Sequence, residues 1–273
     1  MRNVAIYHCS IRIIGRSKGR SAVAYAAYCS GTKLYDKEVR KTYNYTGQNS
    51  VVHSEINLPQ NAPSEFYDRE KLWNAVHEIE THSAAQLARE VEVALPCEFT
   101  QQEQIDTVRE YIMKNFVREG MCADWALHDK GDGNPHAHIM LTMRAIKPNG
   151  RWAEKSRTIY KLDPNEQKIP VIDPTTGQQK IGARGRKMWQ RETVQANDWN
   201  DRSKVEEWRA AWARECNKRL DQQHQIDHRS YDRQEVDKAS TIHEGHVARK
   251  MEREGLVSDR CEINREIREL NEQ

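Results

Sequence analysis

His128, His136 and His138 are the residues of this chain with the most definite chemistry. Between them, Asp129 to Pro135 holds two glycines, two aspartates and an Asn-Pro step, the composition of a turn. The flanks, Cys122 to His128 and His136 to Ile146, are apolar enough to be strands. Side chains two apart on a strand share a face. His136 and His138 therefore point the same way, and His128 ends the neighbouring strand beside them. Three imidazoles converging on one point form the donor set of a divalent metal. Such a metal would suit a zinc hydrolase with a bound hydroxide, or a site that polarises a phosphodiester while a protein side chain attacks. The His-Glu-x-x-His of metalloproteases is absent.

The second option needs a nucleophile. Tyr25 and Tyr28 lie three apart in Ala22-Val23-Ala24-Tyr25-Ala26-Ala27-Tyr28, an alanine-rich helix with Ser21 as its N-cap and Gly31 as its end. Alanine neighbours leave both phenols accessible. An acid to complete or support the metal shell is offered by Arg89-Glu90-Val91-Glu92-Val93-Ala94-Leu95-Pro96. This alternating run puts Val91, Val93 and Leu95 on one face, with Glu90 and Glu92 on the other. Either glutamate is a candidate ligand or a partner for an imidazole.

The elements that must position these groups follow from periodicity. A strand is expected over Val4 to Ile14, with Ile6, His8, Ser10 and Arg12 on one side. A basic glycine turn then leads into the tyrosine helix. Thr42 to Leu58 is aromatic and β-branched, the mark of a hairpin or extended arm. Pro63 to Ala88 has helical spacing through Phe66, Leu72, Val76, Ile79 and Leu87. Thr100 with Glu103 forms a capping box for a helix running to about Arg118. In the strand from His136, alternation puts Thr142 and Arg144 on the histidine face. Lys147 to Asn197 is basic and turn-rich, with Asp173 to Gly177 as a hairpin tip. A long helix follows from Asp198 to about Gln222, where Trp208 and Trp212 share a stripe suited to core packing. The expected fold is α+β: a central antiparallel sheet of about five strands with helices packed on one face, and a C-terminal helical region.

The 273 residues are 31% charged and 37% apolar, as expected of a soluble chain with a modest core and a long charged helical part. No apolar stretch reaches the length of a membrane span, and the N-terminus lacks a signal-peptide pattern. Six cysteines without a Cys-x-x-Cys pair fit free thiols in a reducing cytoplasm. The net charge is only +2 but is segregated. Residues 1–50 hold nine basic against two acidic side chains, and residues 145–191 eleven against four. Residues 51–100 hold three against nine. Two basic segments flanking a metal site point to a polyanionic substrate.

These blocks together resemble the MobA/MobL family of plasmid relaxases, within the wider His-hydrophobic-His group of single-strand DNA endonucleases. The resemblance runs from Ile6-Tyr7-His8 and Gly19-Arg20-Ser21 through Tyr28, then Asp68 to Trp73 and Ala88 to Pro96. It continues with His128, Gly133 to His138, Asp198-Trp199-Asn200, Trp208 to Trp212 and Asp227 to Tyr231. It implies that Tyr28, closing the Ser-Ala-x-x-x-x-x-Tyr block, is the catalytic tyrosine, with Tyr25 at a variable position. It implies that His128, His136, His138 and, most nearly, Glu90 hold a divalent metal, Mg²⁺ or Mn²⁺ in the cell. The implied function is nicking and rejoining one DNA strand at a transfer origin through a 5′-phosphotyrosine, to start conjugative mobilisation. The implied partners are single-stranded DNA and other relaxosome and coupling proteins, in the bacterial cytoplasm. Arg12, Arg144, Arg184, Arg186 and Lys187 are the expected DNA contacts. The expected organisation is a nickase domain over residues 1–222 and a charged, mostly helical extension over 223–273, cut from a longer parent. A rolling-circle replication initiator shares this chemistry, and a non-catalytic DNA-binding repressor shares the surface.

Overall fold

The computed structural model describes residues 7–131, 133–242 and 244–272. In chain order the main elements are β1 (Cys9–Gly15), α1 (Ala22–Ser30), β2 (Lys33–Asp36), β3 (Lys41–Asn44) and β4 (Val51–Asn57). Then come α2 (Arg69–Ile79), β5 (Gln86–Ala94), α3 (Gln101–Asn115), β6 (Ala123–His128) and β7 (His136–Thr142). They are followed by β8 (Ser156–Tyr160), β9 (Arg191–Gln195) and α4 (Arg202–Asn217). The C-terminal helices are α5 (Tyr231–Gln234), α6 (Gly245–Arg253) and α7 (Asp259–Glu272). A five-stranded antiparallel sheet runs in the order β1-β5-β7-β6-β4. The chain therefore has the expected α+β fold and C-terminal helical region.

The apolar alternation of the strands selects the face that is covered first. Val91, Val93, Trp125, Leu127, Ala137, Ile139 and Leu141 pack against α3 and α4. Trp208 and Trp212 are fully buried in that layer, as their shared stripe predicts. The capping box at Thr100 forms as expected and starts α3. The opposite face is also partly covered, by α1 and α2, through Ala88, Met140, Leu72, Trp73, Ala22, Val23, Ala26 and Ala27. The strand sequences alone read as polar there. Alanine is small enough to let α1 lie close against strands that also carry histidines and acids.

Several boundaries differ from the expectation. The start of the first strand at Val4 to Ile6 lies outside the described residues. The expected helix from Pro63 to Ala88 contracts to a short 3₁₀ turn and α2, because Gln86–Ala94 pairs on both sides, with β1 and β7. Leu87 follows the helical period of α2, but as a strand residue it is fully buried. Thr42 to Leu58 is not one hairpin: β3 pairs with β2, while β4 pairs with β6 at the sheet edge. The strand from His136 ends at Thr142, so its alternation does not carry to Arg144.

A buried ion pair fixes α2 to the site face. Asp124 on β6 accepts from Arg69 Nε at 2.8 Å and Nη2 at 2.7 Å, and from Trp73 Nε1 at 2.8 Å. Asp124→Ala strands the arginine and the indole N–H, so a loss of about 3–5 kcal/mol is expected. It should appear as a lower urea midpoint at unchanged slope. A loss below about 1 kcal/mol, the level of an exposed pair, would show that the pair does not brace the helix.

Candidate metal centre and nucleophile

The register of the central strands builds the site. His128 on β6 lies directly opposite His136 on β7, and His138 on β7 lies opposite Glu92 on β5. Glu90 lies opposite Arg12 on β1. Strand alternation puts all of these on one face. The three histidines present ligand atoms within 4.8 Å of one another, and their ring centroids are 4.9–5.4 Å apart.

Each imidazole is held by a protein oxygen. His128 Nε2 donates to the Cys29 carbonyl at 2.6 Å, and His136 Nδ1 to the Asn134 carbonyl at 2.9 Å. His138 Nδ1 donates to Glu90 Oε1 at 3.1 Å. Such outer hydrogen bonds fix ring orientation at metal sites and raise ligand basicity. Burial above all, with the neighbouring His138, His136 and Lys130 and against the hydrogen bond to Cys29, lowers the His128 pKa to about 4. His128 is therefore neutral near pH 7, the state a metal ligand requires. The donor set fits a divalent cation: three imidazoles held from outside, with carboxylates at their edge.

Glu90 is 3% exposed and both of its oxygens are engaged. Oε1 accepts from His138 and from the Tyr25 hydroxyl, and Oε2 accepts from Arg12 Nε at 2.8 Å. Burial alone would raise its pKa, but the hydrogen bonds from His138, Tyr25 and Arg12 outweigh burial and lower it. Glu90 thus reaches the cluster through His138. Glu92 accepts from Arg12 Nη2 at 2.6 Å, and its carboxylate also lies within 4.8 Å of the ligand atoms of Glu90 and His138.

α1 carries the two tyrosines over this face. Ser21 caps it by accepting from Ala24 N, and His77 Nε2 on α2 accepts from Ala22 N at 3.0 Å. Gly31 closes the helix at φ +63, where a Cβ would meet Val51 Cγ2 at 3.1 Å. The left-handed turn and the close approach both call for glycine. The phenols then differ. Tyr25 is committed to Glu90, and burial raises its pKa, with Cys29 and Glu90 adding to the effect. Tyr28 is 39% exposed, with its ring 6.4 Å from that of His138. Its pKa is also raised, first by partial burial and then by Cys29, Glu92 and Glu90.

The expected DNA contacts scatter. Arg12 is at the site, half exposed and paired with both glutamates. Arg144 pairs with Glu80 at 2.7 Å and donates to the Ala153 carbonyl at 3.1 Å, contacts that hold the chain together. Arg184, Arg186 and Lys187 are exposed at one turn of a β ribbon built on β8 and β9, where Ile181 bridges Lys187. Asp173 to Gly177 forms another tip of that ribbon, as expected. Two residues of the cleft beside Tyr28 are absent from the sequence-based expectation: Arg20 and Tyr45. Arg20 stands in the sequence only as part of the Gly19-Arg20-Ser21 block ahead of the tyrosine helix, with no site role, and Tyr45 as one aromatic of an extended arm. Nothing in the one-dimensional pattern aims either at the helix. Among the described residues, no helix is long and apolar enough to cross a membrane.

A histidine trio on the adjacent strands β6 and β7 of an antiparallel sheet, able to hold a metal ion, lies beside a helix that carries a half-exposed tyrosine. The model of the MobA/MobL family matches residues 20–254, and the chain belongs to that family. It is 43% identical over 272 residues to the probable mobilization protein MobA of Bifidobacterium longum, covering 98% of this chain and 48% of that protein. It is 34% identical over 288 residues to the conjugal transfer protein TraA of Agrobacterium fabrum, covering 98% of this chain and 24% of that one. The chain thus spans about half the length of the first relative and a quarter of the second. A solved structure described as the molecular basis of vancomycin resistance transfer in Staphylococcus aureus superposes with a TM-score of 0.62 at 27% identity. That match covers 85% of this chain and 96% of the other.

Proposed function

We propose that this chain is the nickase part of a relaxase, cutting and rejoining one DNA strand at a transfer origin to start conjugative mobilisation. The observation that carries the reading is the half-exposed Tyr28 beside the trio His128, His136 and His138. Tyr28 Oη attacks the scissile phosphorus. A P–O bond to tyrosine forms as the phenol gives up its proton to solvent, the bond to the 3′ oxygen breaks, and that oxygen takes a proton from solvent and leaves as a 3′-hydroxyl, so the proton count is unchanged. The phosphotyrosine conserves the phosphodiester, so the 3′-hydroxyl can reverse the step. The three histidines hold a divalent cation, Mg²⁺ or Mn²⁺, which when bound offsets charge on the phosphate oxygens. Glu90 orients His138, and Tyr25 and Arg12 hold Glu90. Residues 1–222 form the nicking unit and residues 223–273 an extension. The reaction belongs in the bacterial cytoplasm, alongside other relaxosome and coupling proteins.

The test is incubation of the chain with a random-sequence pool of single-stranded oligonucleotides and Mn²⁺, followed by mass spectrometry of the peptide that gains DNA. The expected product is DNA on the peptide holding Tyr28. Binding without any covalent product would favour the repressor reading.

The exposed ribbon supplies a second measurable expectation. Among the described residues Arg184, Arg186 and Lys187 have no ion pairs, so they are available to phosphates. Each single-strand phosphate contact adds about −0.7 to the slope of log affinity against log salt. Changing all three to glutamine should flatten that slope by about 2 if each makes such a contact. An unchanged slope would remove the ribbon tip from the interface and leave the N-terminal basic segment.

A further inference from the structure

Beside Tyr28 lies an open cleft of ≈ 380 Å³, at the lower end of the roughly 300–1,000 Å³ typical of small-molecule sites. Its aromatic wall is Tyr25, Tyr28 and Tyr45, and Arg12 and Arg20 supply its cations. These cations are not equivalent. Arg12 is bound to Glu90 and Glu92. Arg20 is exposed and has no ion pair among the described residues. The tyrosines differ in the same way. Tyr25 is tied to Glu90, and the Tyr28 ring lies beside that of His138. Tyr45 is 37% exposed, and its ring stands edge-on to that of Tyr28 at 5.5 Å and 83°.

The Tyr45 backbone is anchored where its ring is needed. Its N–H donates to the Thr32 carbonyl at 3.1 Å, just past the end of α1, and its carbonyl accepts from Gln48 N at 3.0 Å. The ring is thus held by backbone bonds to the segment that ends the tyrosine helix. An aromatic face next to an unpaired guanidinium is the combination that takes a nucleotide. The base stacks on the ring, which every base can do, and the phosphate meets the cation.

We propose that Tyr45 and Arg20 form a nucleotide pocket for the single strand, Tyr45 stacking the base next to the scissile phosphate and Arg20 holding a neighbouring phosphate. The pocket rests on the nickase reading and adds to it the residues that hold the strand in register at the nick. By seating the flanking nucleotide against α1, it keeps the phosphate over Tyr28 between cutting and rejoining.

The probe is an oligonucleotide captured covalently by the wild-type chain from a random single-stranded pool with Mn²⁺, its nick mapped by sequencing. Binding is then read by fluorescence anisotropy in the non-cleaving Tyr28→Phe background, with a series of oligonucleotides abasic at each position flanking the nick. One abasic position within two nucleotides of the nick should weaken binding by about 5–150-fold, the range of one base–aromatic stack. In Tyr45→Ala that penalty should vanish, because the stack is already gone. Tyr45→Phe should retain it, since the ring remains. Arg20→Gln should flatten the salt slope by about 0.7. A Tyr45→Ala protein that keeps every abasic penalty overturns the pocket and leaves the nickase standing. A pool from which nothing is captured overturns the nickase reading, and the pocket with it.

Discussion

Tyr28→Phe is expected to abolish both strand cleavage and the covalent protein–DNA product, while single-strand binding stays within a few-fold. The ring is kept, so its contact with Tyr45 and its place in the cleft persist. Only the oxygen that forms the bond to phosphorus is lost, and no neighbouring group replaces it in position. Tyr25 is the nearest alternative, three residues along the same helix. Its hydroxyl donates to Glu90, and its ring is more deeply placed than that of Tyr28. Tyr25→Phe should therefore still form the adduct, with reduced activity from a looser Glu90. Mass spectrometry of the DNA-bearing peptide, run on both variants, checks this. An adduct that survives Tyr28→Phe and disappears in Tyr25→Phe would reverse the assignment.

His136→Ala and His138→Ala should each lower Mn²⁺ affinity by more than the roughly 10–100-fold typical of losing an outer hydrogen-bond partner. Both should also eliminate nicking. Each removes a donor from a set whose ligand atoms lie within 4.8 Å of one another. Glu90→Gln should fall in the 10–100-fold range itself, because it acts through the His138 ring, with Glu92→Gln as its comparison. Calorimetric titration with Mn²⁺ measures all four. If the two histidine variants bind Mn²⁺ within a few-fold of wild type, the trio is not a metal centre. If Glu90→Gln matches the histidine variants, Glu90 is bonded to the metal rather than to His138.

Much of this site was legible one residue at a time. Turn composition between His128 and His136 set two strands side by side, and strand alternation put His136 and His138 on one face. Neither step needs a tertiary contact. The Ser21 and Thr100 caps and the Gly31 stop were equally plain, since capping is decided within four residues. The tryptophan stripe of α4 was legible as core for the same local reason.

Only tertiary structure decided how the elements meet. Strand pairing carried Leu87 from a helical period into β5 and separated β3 from β4. Closing of α1 and α2 over the polar face decided which tyrosine is exposed. Tyr25 and Tyr28 are alike in sequence, and they differ because Glu90, 65 residues after Tyr25, meets one of them. Arg144 belongs to the same class: it reads as a site residue until Glu80 takes its charge. Arg20 and Tyr45 gain a common cleft only through the packing of the segments around α1. The general reason is range. Alternation, capping and turns are set by neighbours along the chain, whereas exposure and pairing depend on which distant side chain arrives.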